Sequence, residues 1–152
     1  MLCMMLEDAS FYFGHRLLHT PLLYKYIHKL HHEHKTIVGI SAQTAHPIEF
    51  IFFNLVPVLI GPLALQSRMH HLTAFTWYAL RFIESAEGHS GYEFTWSPFR
   101  LLPFGSDFAY HAYHHKYNIG NYSTFFTHWD TIFKTNKAYY AYLSDIREES
   151  EN

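Results

Sequence analysis

The sequence has little cysteine and little charge. Its single cysteine, Cys3, cannot form a disulfide within the chain, and this fits a reducing, cytosol-facing environment. Charged residues make up only 16 % of the chain, whereas an average soluble domain has about 25 %. The formal net charge is −2 and no arginine stripe with stacking aromatics is present, so the sequence gives no reason to expect a nucleic-acid partner. With 152 residues, the chain is long enough for one domain and too short for two well-developed ones.

A signal peptide is also missing from the amino terminus. The segment MLCMMLEDASFYFGH lacks both a basic region and a small-residue cleavage site. It resembles the last turns of a longer apolar helix, which predicts that further membrane helices precede residue 1. The alternative is that the protein has a genuinely short start.

Histidine, in contrast, is abundant and clustered. The chain has 14 histidines, and eight of them fall into three short motifs: HRLLH (His15, His19), HKLHH (His28, His31, His32) and HAYHH (His111, His114, His115). Residues three or four apart lie on one face of an α-helix, so each motif is expected to present its rings in one direction. A single HxxxH is weak evidence, but eight rings exceed what one ion of four to six ligands can use. The pattern therefore predicts two metal ions in one pocket, about 3.5–4 Å apart.

The second histidine motif is expected to lie on a helix near a membrane surface. Thr20 and Pro21 are typical of an N-cap and a first helical position, and the helix is predicted to run from Leu22 to about Glu33. Basic residues surround this motif at Arg16, Lys25, Lys29 and Lys35. By the positive-inside rule, this part of the chain faces the cytoplasm.

Two apolar runs separate the second motif from the third. Residues 48–65, IEFIFFNLVPVLIGPLAL, carry no charge after Glu49, and about 20 such residues span a bilayer. Asn54, Pro57, Gly61 and Pro62 in this run predict a kinked helix. The second run, from Leu72 to Ile83, is too short to cross alone unless its flanks extend it.

The third motif must reach the same metals as the other two. The apolar segment is therefore predicted to be a helical hairpin that turns near Gln66 to His71. The alternative is that both runs are core helices of a soluble protein.

The rest of the chain completes an all-α architecture. Ser90 to Ser106 is predicted to be a loop, and Asp107 is predicted to cap the helix of the third motif. Residues 138–152 are predicted to form a polar tail, frayed from Ser144 onward. The predicted fold is a single domain over 1–152: an integral-membrane helical hairpin with a cytosolic helical cap that holds a histidine-rich dimetal site.

The motifs together resemble a known family. HRLLH, LYKYIHKLHHEH, AHPIE, HSGYE and HAYHHKYNIGNYSTFFTHWDTIFKTN are similar to the fatty acid hydroxylase/sterol desaturase superfamily, and most similar to its C-4 methylsterol monooxygenases. The resemblance runs from about Met1 to Lys137. It implies a multi-pass, non-haem diiron enzyme of the endoplasmic reticulum membrane, with its metal site facing the cytosol. It also implies that O2 is the oxidant and that electrons come from NAD(P)H through cytochrome b5 and its reductase.

The resemblance implies nine metal ligands. These are His15, His19, His28, His31, His32, His111, His114 and His115 of the three motifs, together with His89 of HSGYE. Related hydroxylases carry another histidine one helical turn before His89, where this chain has Ser85. Water, Glu84 or Glu87 could fill that coordination position. The favoured role for the two acids is instead to orient a ligand imidazole without touching the metal.

The remaining histidines are not assigned to metals. His34 is expected to face solvent or to support a ligand, and His46 to cap the following helix. His70 and His71 are expected at a membrane turn, and His128 is expected to pack.

Imidazole ligands do not by themselves name the metal, since they suit zinc, copper, iron and nickel. The resemblance implies two iron ions and stepwise oxidation of the C-4 methyl group of a sterol in sterol biosynthesis. The lipid would enter through aromatic walls such as those that Phe50, Phe52, Phe53, Phe75, Trp77 and Tyr78 could supply. The alternatives are hydroxylation of a fatty acyl or sphingoid chain, and a non-catalytic, metal-binding truncated paralogue. A soluble zinc hydrolase is disfavoured, because the sequence has no HExxH motif.

Overall fold

The computed structural model describes residues 1–151, and within this range the chain forms helices and loops. The helices are α1 (Leu2–Leu18), α2 (Pro21–Tyr26), α3 (Pro47–Arg68), α4 (His71–Gly88), α5 (Phe108–Tyr117), α6 (His128–Phe133) and α7 (Lys137–Glu151). Short 3₁₀ helices lie at His28–Glu33, Gly39–Gln43 and Pro98–Leu101. An isolated β-bridge joins Gly105 to Phe126. The predicted all-α class is confirmed.

Helix α3 is long and apolar enough to cross a membrane. It has 22 residues, and only 17 % of its most apolar stretch is buried within the protein. Its second turn widens into a π-helix over Phe50–Leu55, where Val56 N donates to Ile51 O. Pro57 has no N–H and would clash with the preceding turn of an ideal α-helix, so the wider turn accommodates it. Among residues 1–151, α3 is the one helix that meets this length and composition criterion.

Helices α1 and α3 pack closely through two glycines. A Cβ at Gly61 would lie 2.6 Å from Cys3 Cα, and a Cβ at Gly14 would lie 2.7 Å from Phe53 Cδ1. Since the start of α1 meets the second half of α3 and the end of α1 meets its first half, the two helices run antiparallel. This arrangement brings His15 beside the first turns of α3.

Helix α4 begins at His71, soon after α3 ends, and the last turn of α3 is distorted at Gln66, whose φ is 46°. His70 caps α4, because its Nδ1 accepts a hydrogen bond from Leu72 N at 3.1 Å. Trp77 of α4 returns to α3 and donates from its indole Nε1 to Val58 O at 2.9 Å. This hydrogen bond brings α4 into contact with α3.

The helix predicted from Leu22 to Glu33 is wrong in its second half. Thr20 and Pro21 begin α2 as expected, but α2 ends at Tyr26 and the second histidine motif lies on a 3₁₀ helix. Residues three apart eclipse each other in a 3₁₀ helix, and the rings of His28 and His31 stack with centroids 5.3 Å apart. The hydrogen bonds of His28 to Glu49 and of His31 to Thr44 O stabilise the 3₁₀ helix.

The end of the chain also differs from the prediction. The segment predicted to fray from Ser144 is helical, because α7 continues to Glu151. Tyr139 of α7 is buried against Tyr110 and Tyr113 of α5, so α7 packs on the helix that carries the third histidine motif. Residue 152 lies outside the described residues.

The close approach of α1 to α3 can be tested at Gly61. Gly61→Ala places a methyl group against the backbone of Cys3, and such overpacking is expected to lower the free energy of unfolding by about 1–3 kcal/mol. Gly88→Ala is the control, since a Cβ there meets nothing within 4 Å. Denaturant unfolding of the purified variants measures both. Equal loss in the two variants would contradict the packing.

Candidate metal centre

The structure brings the nine predicted ligands together in two groups. The five-histidine group contains His15, His19, His28, His32 and His114, and the four-histidine group contains His31, His89, His111 and His115. Within each group, one ring nitrogen from every member lies within 4.8 Å of the others. His19 is half-buried and the other eight rings are buried. The groups adjoin, since the ring centroids of His32 and His115 are 4.5 Å apart.

The three sequence motifs do not map one to one onto the groups. Histidines four residues apart in one motif belong to the same group. The third histidine of the second motif, His31, joins the four-histidine group instead, and His114 of the third motif joins the five-histidine group. In α5 the reason is geometric: at 3.6 residues per turn, His115 returns almost to the face of His111, while His114 projects about 100° away from His115. The expectation that each motif presents all its rings in one direction is therefore wrong.

The Nδ1 atoms of five rings face outward to fixed acceptors. His15 bonds to Tyr122 O at 2.7 Å, His31 to Thr44 O at 3.0 Å, His89 to Ser85 O at 2.9 Å and His114 to Gly120 O at 2.6 Å, and His28 bonds to Glu49 Oε1 at 2.8 Å. A carbonyl oxygen only accepts, so each Nδ1 that faces one carries the hydrogen and donates it. In a neutral ring of this tautomer, Nε2 is a bare lone pair that can bind a metal.

The Nε2 atoms face each other in the interior of each group. In the five-histidine group all of these atoms except His15 Nε2 meet at 3.0–3.2 Å, and in the four-histidine group the Nε2 atoms of His89 and His115 lie 3.0 and 3.1 Å from that of His111. Two ligands at right angles around an ion at about 2.1 Å would lie about 3.0 Å apart.

Hydrogen bonds among the rings do not satisfy every nitrogen. His15 Nε2 is buried without a partner, as are the Nδ1 atoms of His32, His111 and His115. Unpaired buried polar atoms are costly unless a cation or a further partner completes them. The unpaired Nε2 atom of His15 and the converging Nε2 atoms of the other rings fit metal ions, whereas the three unpaired Nδ1 atoms lie on the other side of their rings.

Burial keeps the ligand rings neutral. Loss of solvation lowers the pKa of His31 to about 4 and that of His89 to about 3. The pKa of His114 is lowered well below its usual value, first by burial and then by the charge of His19. Neutral imidazole is the form that binds metal, so the protein holds these rings in the ligating state at physiological pH.

Glu49 is the acid that bonds to a predicted ligand ring, that of His28, and the sequence analysis missed it. The prediction gave that role to Glu84 or Glu87, but Glu84 pairs with Arg81 and Glu87 accepts from Ser97 Oγ at 2.9 Å. Glu49 is buried and lies at the start of the apolar run, in the quoted AHPIE segment. A carboxylate at such a position needs a partner, and that signal could have identified it.

The other histidines lie outside both groups. His34 is exposed, and His46 caps α3 by accepting from Ile48 N at 3.2 Å. His128 packs against Trp129, with ring centroids 4.9 Å apart. These predicted roles are confirmed. His70 and His71 lie at the turn before α4.

A buried charge network holds α1 against α4 beside the site. Arg81 donates from Nε to Glu7 Oε1 at 2.7 Å, pairs with Glu84, and lies 3.4 Å from Thr124 Oγ1. Removing one partner of such a network would leave an uncompensated buried charge, which is strongly destabilising. The network thus fixes the position of α1, which carries His15, relative to α4, which is followed directly by His89.

The loop between α5 and α6 supplies two of the orienting carbonyls. Its conformation is fixed by Asp130, whose two carboxylate oxygens accept from Tyr122 N at 3.0 Å and Ser123 N at 2.8 Å. Asp107 caps the preceding helix as predicted, by accepting from Tyr110 N at 2.8 Å. Gly120 has φ 58°, and a Cβ there would lie 1.8 Å from Thr135 O, so only glycine fits at this orienting carbonyl.

An apolar cavity of about 310 Å³ opens onto both groups. Five of the nine rings line it: His15, His28, His31, His89 and His111. Of the six aromatics considered from the sequence, Phe50, Phe53 and Tyr78 border it. A hydrocarbon that fills this space would lie against these histidine rings.

The fold and the site define a helical protein with two adjoining histidine groups, each able to hold a metal ion, at the wall of an apolar cavity. The family model for fatty acid hydroxylases matches residues 1–135. The chain belongs to the fatty acid hydroxylase family.

Relatives carry two kinds of name. A putative methylsterol monooxygenase of Dictyostelium discoideum is 40 % identical over 139 residues, covering 91 % of this chain and 50 % of the relative. Methylsterol monooxygenase 1 of Rattus norvegicus is 39 % identical over 146 residues, covering 96 % and 49 %. A very-long-chain aldehyde decarbonylase of Oryza sativa subsp. japonica is 44 % identical over 143 residues, covering 88 % and 50 %. The chain thus spans about half the length of these curated relatives. No solved structure matches it.

The orienting role of Glu49 predicts a loss of metal affinity when it is removed. Glu49→Ala leaves His28 Nδ1 without its acceptor and is expected to weaken metal binding by about 10–100-fold. Glu49→Gln keeps an acceptor oxygen and should lose less. Glu33→Ala is the control, because Glu33 is exposed at the end of the same 3₁₀ helix. Titration against a competing chelator measures the affinities. Unchanged binding by Glu49→Ala would show that the contact does not orient a ligand.

Proposed function

We propose that the chain forms the histidine-rich catalytic part of a membrane-bound, non-haem diiron monooxygenase that oxidises the C-4 methyl group of sterols. The observation that carries the proposal is the convergence of two sets of Nε2 atoms on the wall of an apolar cavity. Family membership and relatives named methylsterol monooxygenase support it.

The proposed ligands of one iron are the five-histidine group, and those of the other are the four-histidine group. The bound iron pair would use O2 and electrons, supplied by NAD(P)H through cytochrome b5 and its reductase, to oxidise an unactivated C–H bond. The chain's own residues orient the rings, through Glu49 and through the carbonyls of Thr44, Ser85, Gly120 and Tyr122. The apolar cavity walls exclude water and hold the hydrocarbon against the histidines.

The proposed setting is the endoplasmic reticulum membrane, with α3 and α4 as a hairpin and the histidine groups on the cytosolic side. Support comes from α3, which is apolar and mostly unburied, and from Phe75 and Phe82 of α4, which are 69 % and 61 % exposed. Exposed lysines, Lys25 and Lys29, lie beside the second histidine motif. Such a distribution follows the positive-inside rule.

A second candidate is chemistry on a very-long-chain aldehyde. The rice relative of that name is as similar to this chain as the methylsterol monooxygenases are. The same histidine groups and apolar cavity would serve a linear chain as well as a sterol. The two candidates therefore differ in substrate shape.

The metal assignment predicts that His31 and His114 are both needed for iron binding. His31→Ala removes a ligand of the four-histidine group, and His114→Ala removes one of the five-histidine group. Each is expected to lower the iron content by at least half, and the double variant should bind none. Elemental analysis of purified protein measures the content, with the exposed His34→Ala as the control. Full iron retention in both single variants would refute the ligand set.

The substrate assignment predicts a specific lipid phenotype. Cells that lose the gene are expected to accumulate 4-methylsterols, and the wild-type gene should reverse this while the His31→Ala, His114→Ala double variant does not. Sterol and aldehyde profiling by mass spectrometry provides the measurement. Unchanged 4-methylsterols would exclude sterol oxidation, and accumulated very-long-chain aldehydes would then favour the second candidate.

A further inference from the structure

The loop between α4 and α5 exposes large apolar side chains. Tyr92 is 70 % exposed, Trp96 76 %, Leu101 86 % and Phe104 70 %. Single exposed apolar residues are common on protein surfaces, but a concentration within one loop marks a site of interaction. The loop begins directly after His89, so it lies at the level of the four-histidine group.

Hydrogen bonds on the inner side of the loop fix its conformation, in which the large apolar side chains face away from the protein. Ser97 is buried and donates from Oγ to Glu87 Oε2 at 2.9 Å, which ties the loop to α4. Glu93 accepts from Ala109 N at 2.8 Å through one carboxylate oxygen, which ties the loop to the start of α5, and its other oxygen pairs with Arg100. The exposure of the aromatic side chains is therefore built into the loop.

An apolar groove separates the loop from the outer face of α4. Its volume is about 410 Å³, and its apolar lining comes from Leu80, Ile83 and Ala86 of α4 and from Phe94, Trp96, Pro98 and Phe99 of the loop. Two residues, Glu87 and Phe99, also line the cavity beside the histidine groups. The groove and the cavity are thus separated at these two residues by a single layer of side chains.

We propose that this loop lies in the interface of the bilayer and that the groove binds a bilayer lipid, which makes the groove a lateral entrance to the cavity. The proposal rests on the proposed membrane setting. Trp and Tyr concentrate at the level of lipid headgroups, where an apolar ring and a polar tip are both satisfied. The loop charges Arg100 and Glu93 pair with each other, and Glu87, the one charged residue that lines the groove, accepts a hydrogen bond from Ser97, so little charge is left to attract a charged protein partner.

A lipid fits the groove better than a protein segment because the groove continues the outer face of α4. Leu72, Phe75 and Phe82 on α4 are 66 %, 69 % and 61 % exposed, and α4 packs on the apolar helix α3. A lipid lying along this surface would reach the groove without leaving an apolar environment. A protein partner would have to displace lipid from the same surface.

The position of the loop can be measured by the fluorescence of Trp96 in phosphatidylcholine vesicles. The chain has three tryptophans, so Trp77→Phe with Trp129→Phe leaves Trp96 as the only emitter. Lipids brominated near the carbonyl end of the acyl chain are expected to quench Trp96 strongly, and lipids brominated near the methyl end less. Trp77→Phe with Trp96→Phe leaves Trp129, which packs against Tyr12 and Phe133, and should be little quenched. If a double variant fails to fold, the difference in quenching between wild type and Trp96→Phe gives the same information.

Occupation of the groove is tested by a benzophenone side chain placed at Ala86. Irradiation in the same vesicles is expected to yield a phospholipid adduct, identified by mass spectrometry, whereas the same probe at exposed Ala141 of α7 should yield none. No lipid adduct at Ala86, or an unquenched Trp96, would overturn the proposal. Neither measurement needs bound metal or turnover, so failure of the sterol assignment would show separately in the lipid profile.

Discussion

His31 and His114 each lie in a different histidine group from the other members of their sequence motif. The rest of the structure depends on this constraint. His31 joins His89, directly after α4, and two rings of α5, while His114 joins rings from the end of α1 and from the first 3₁₀ helix. Neither group can form from a single element, because the second and third histidine motifs each contribute at least one ring to both groups. A displacement of α5 against the first 3₁₀ helix would therefore open both groups together. The two histidine groups form as one structural unit.

The support for this unit comes mostly from backbone carbonyls. Four of the nine rings donate to a main-chain oxygen, and only His28 uses a carboxylate. A carbonyl is placed by the fold of its own segment, so the loop after α5 must be rigid. Asp130 is fully buried and fixes that loop by accepting from two of its N–H groups. A residue that touches no histidine thus sets the direction of His15 and His114 through Tyr122 and Gly120.

Sequence reasoning could identify the nine histidines that come together, but not their division into two groups. Spacing alone placed His111 and His115 on one face, Asp107 at a helix start and residues 48–65 in an apolar helix, because these features depend on local periodicity. The 3₁₀ winding of the second motif depends on distant acceptors, Thr44 O and Glu49, which periodicity does not report. Every residue has a main-chain carbonyl, so the sequence does not show which carbonyl accepts a hydrogen bond from a histidine. For that reason Ser85 stood out as a missing histidine, whereas in the structure its carbonyl holds His89.

The candidate membrane hairpin and the histidine groups are mechanically coupled at the hairpin's open end. Glu49, at the start of α3, holds His28 of the five-histidine group, and His89, directly after α4, belongs to the four-histidine group. A change in the separation of the two arms would therefore move one ligand of each group. The cavity lies between these same arms, with Phe53 on one side and Tyr78 on the other. A molecule that wedges between the arms would act on both groups at once, so the packing around the cavity also affects the geometry of the two histidine groups.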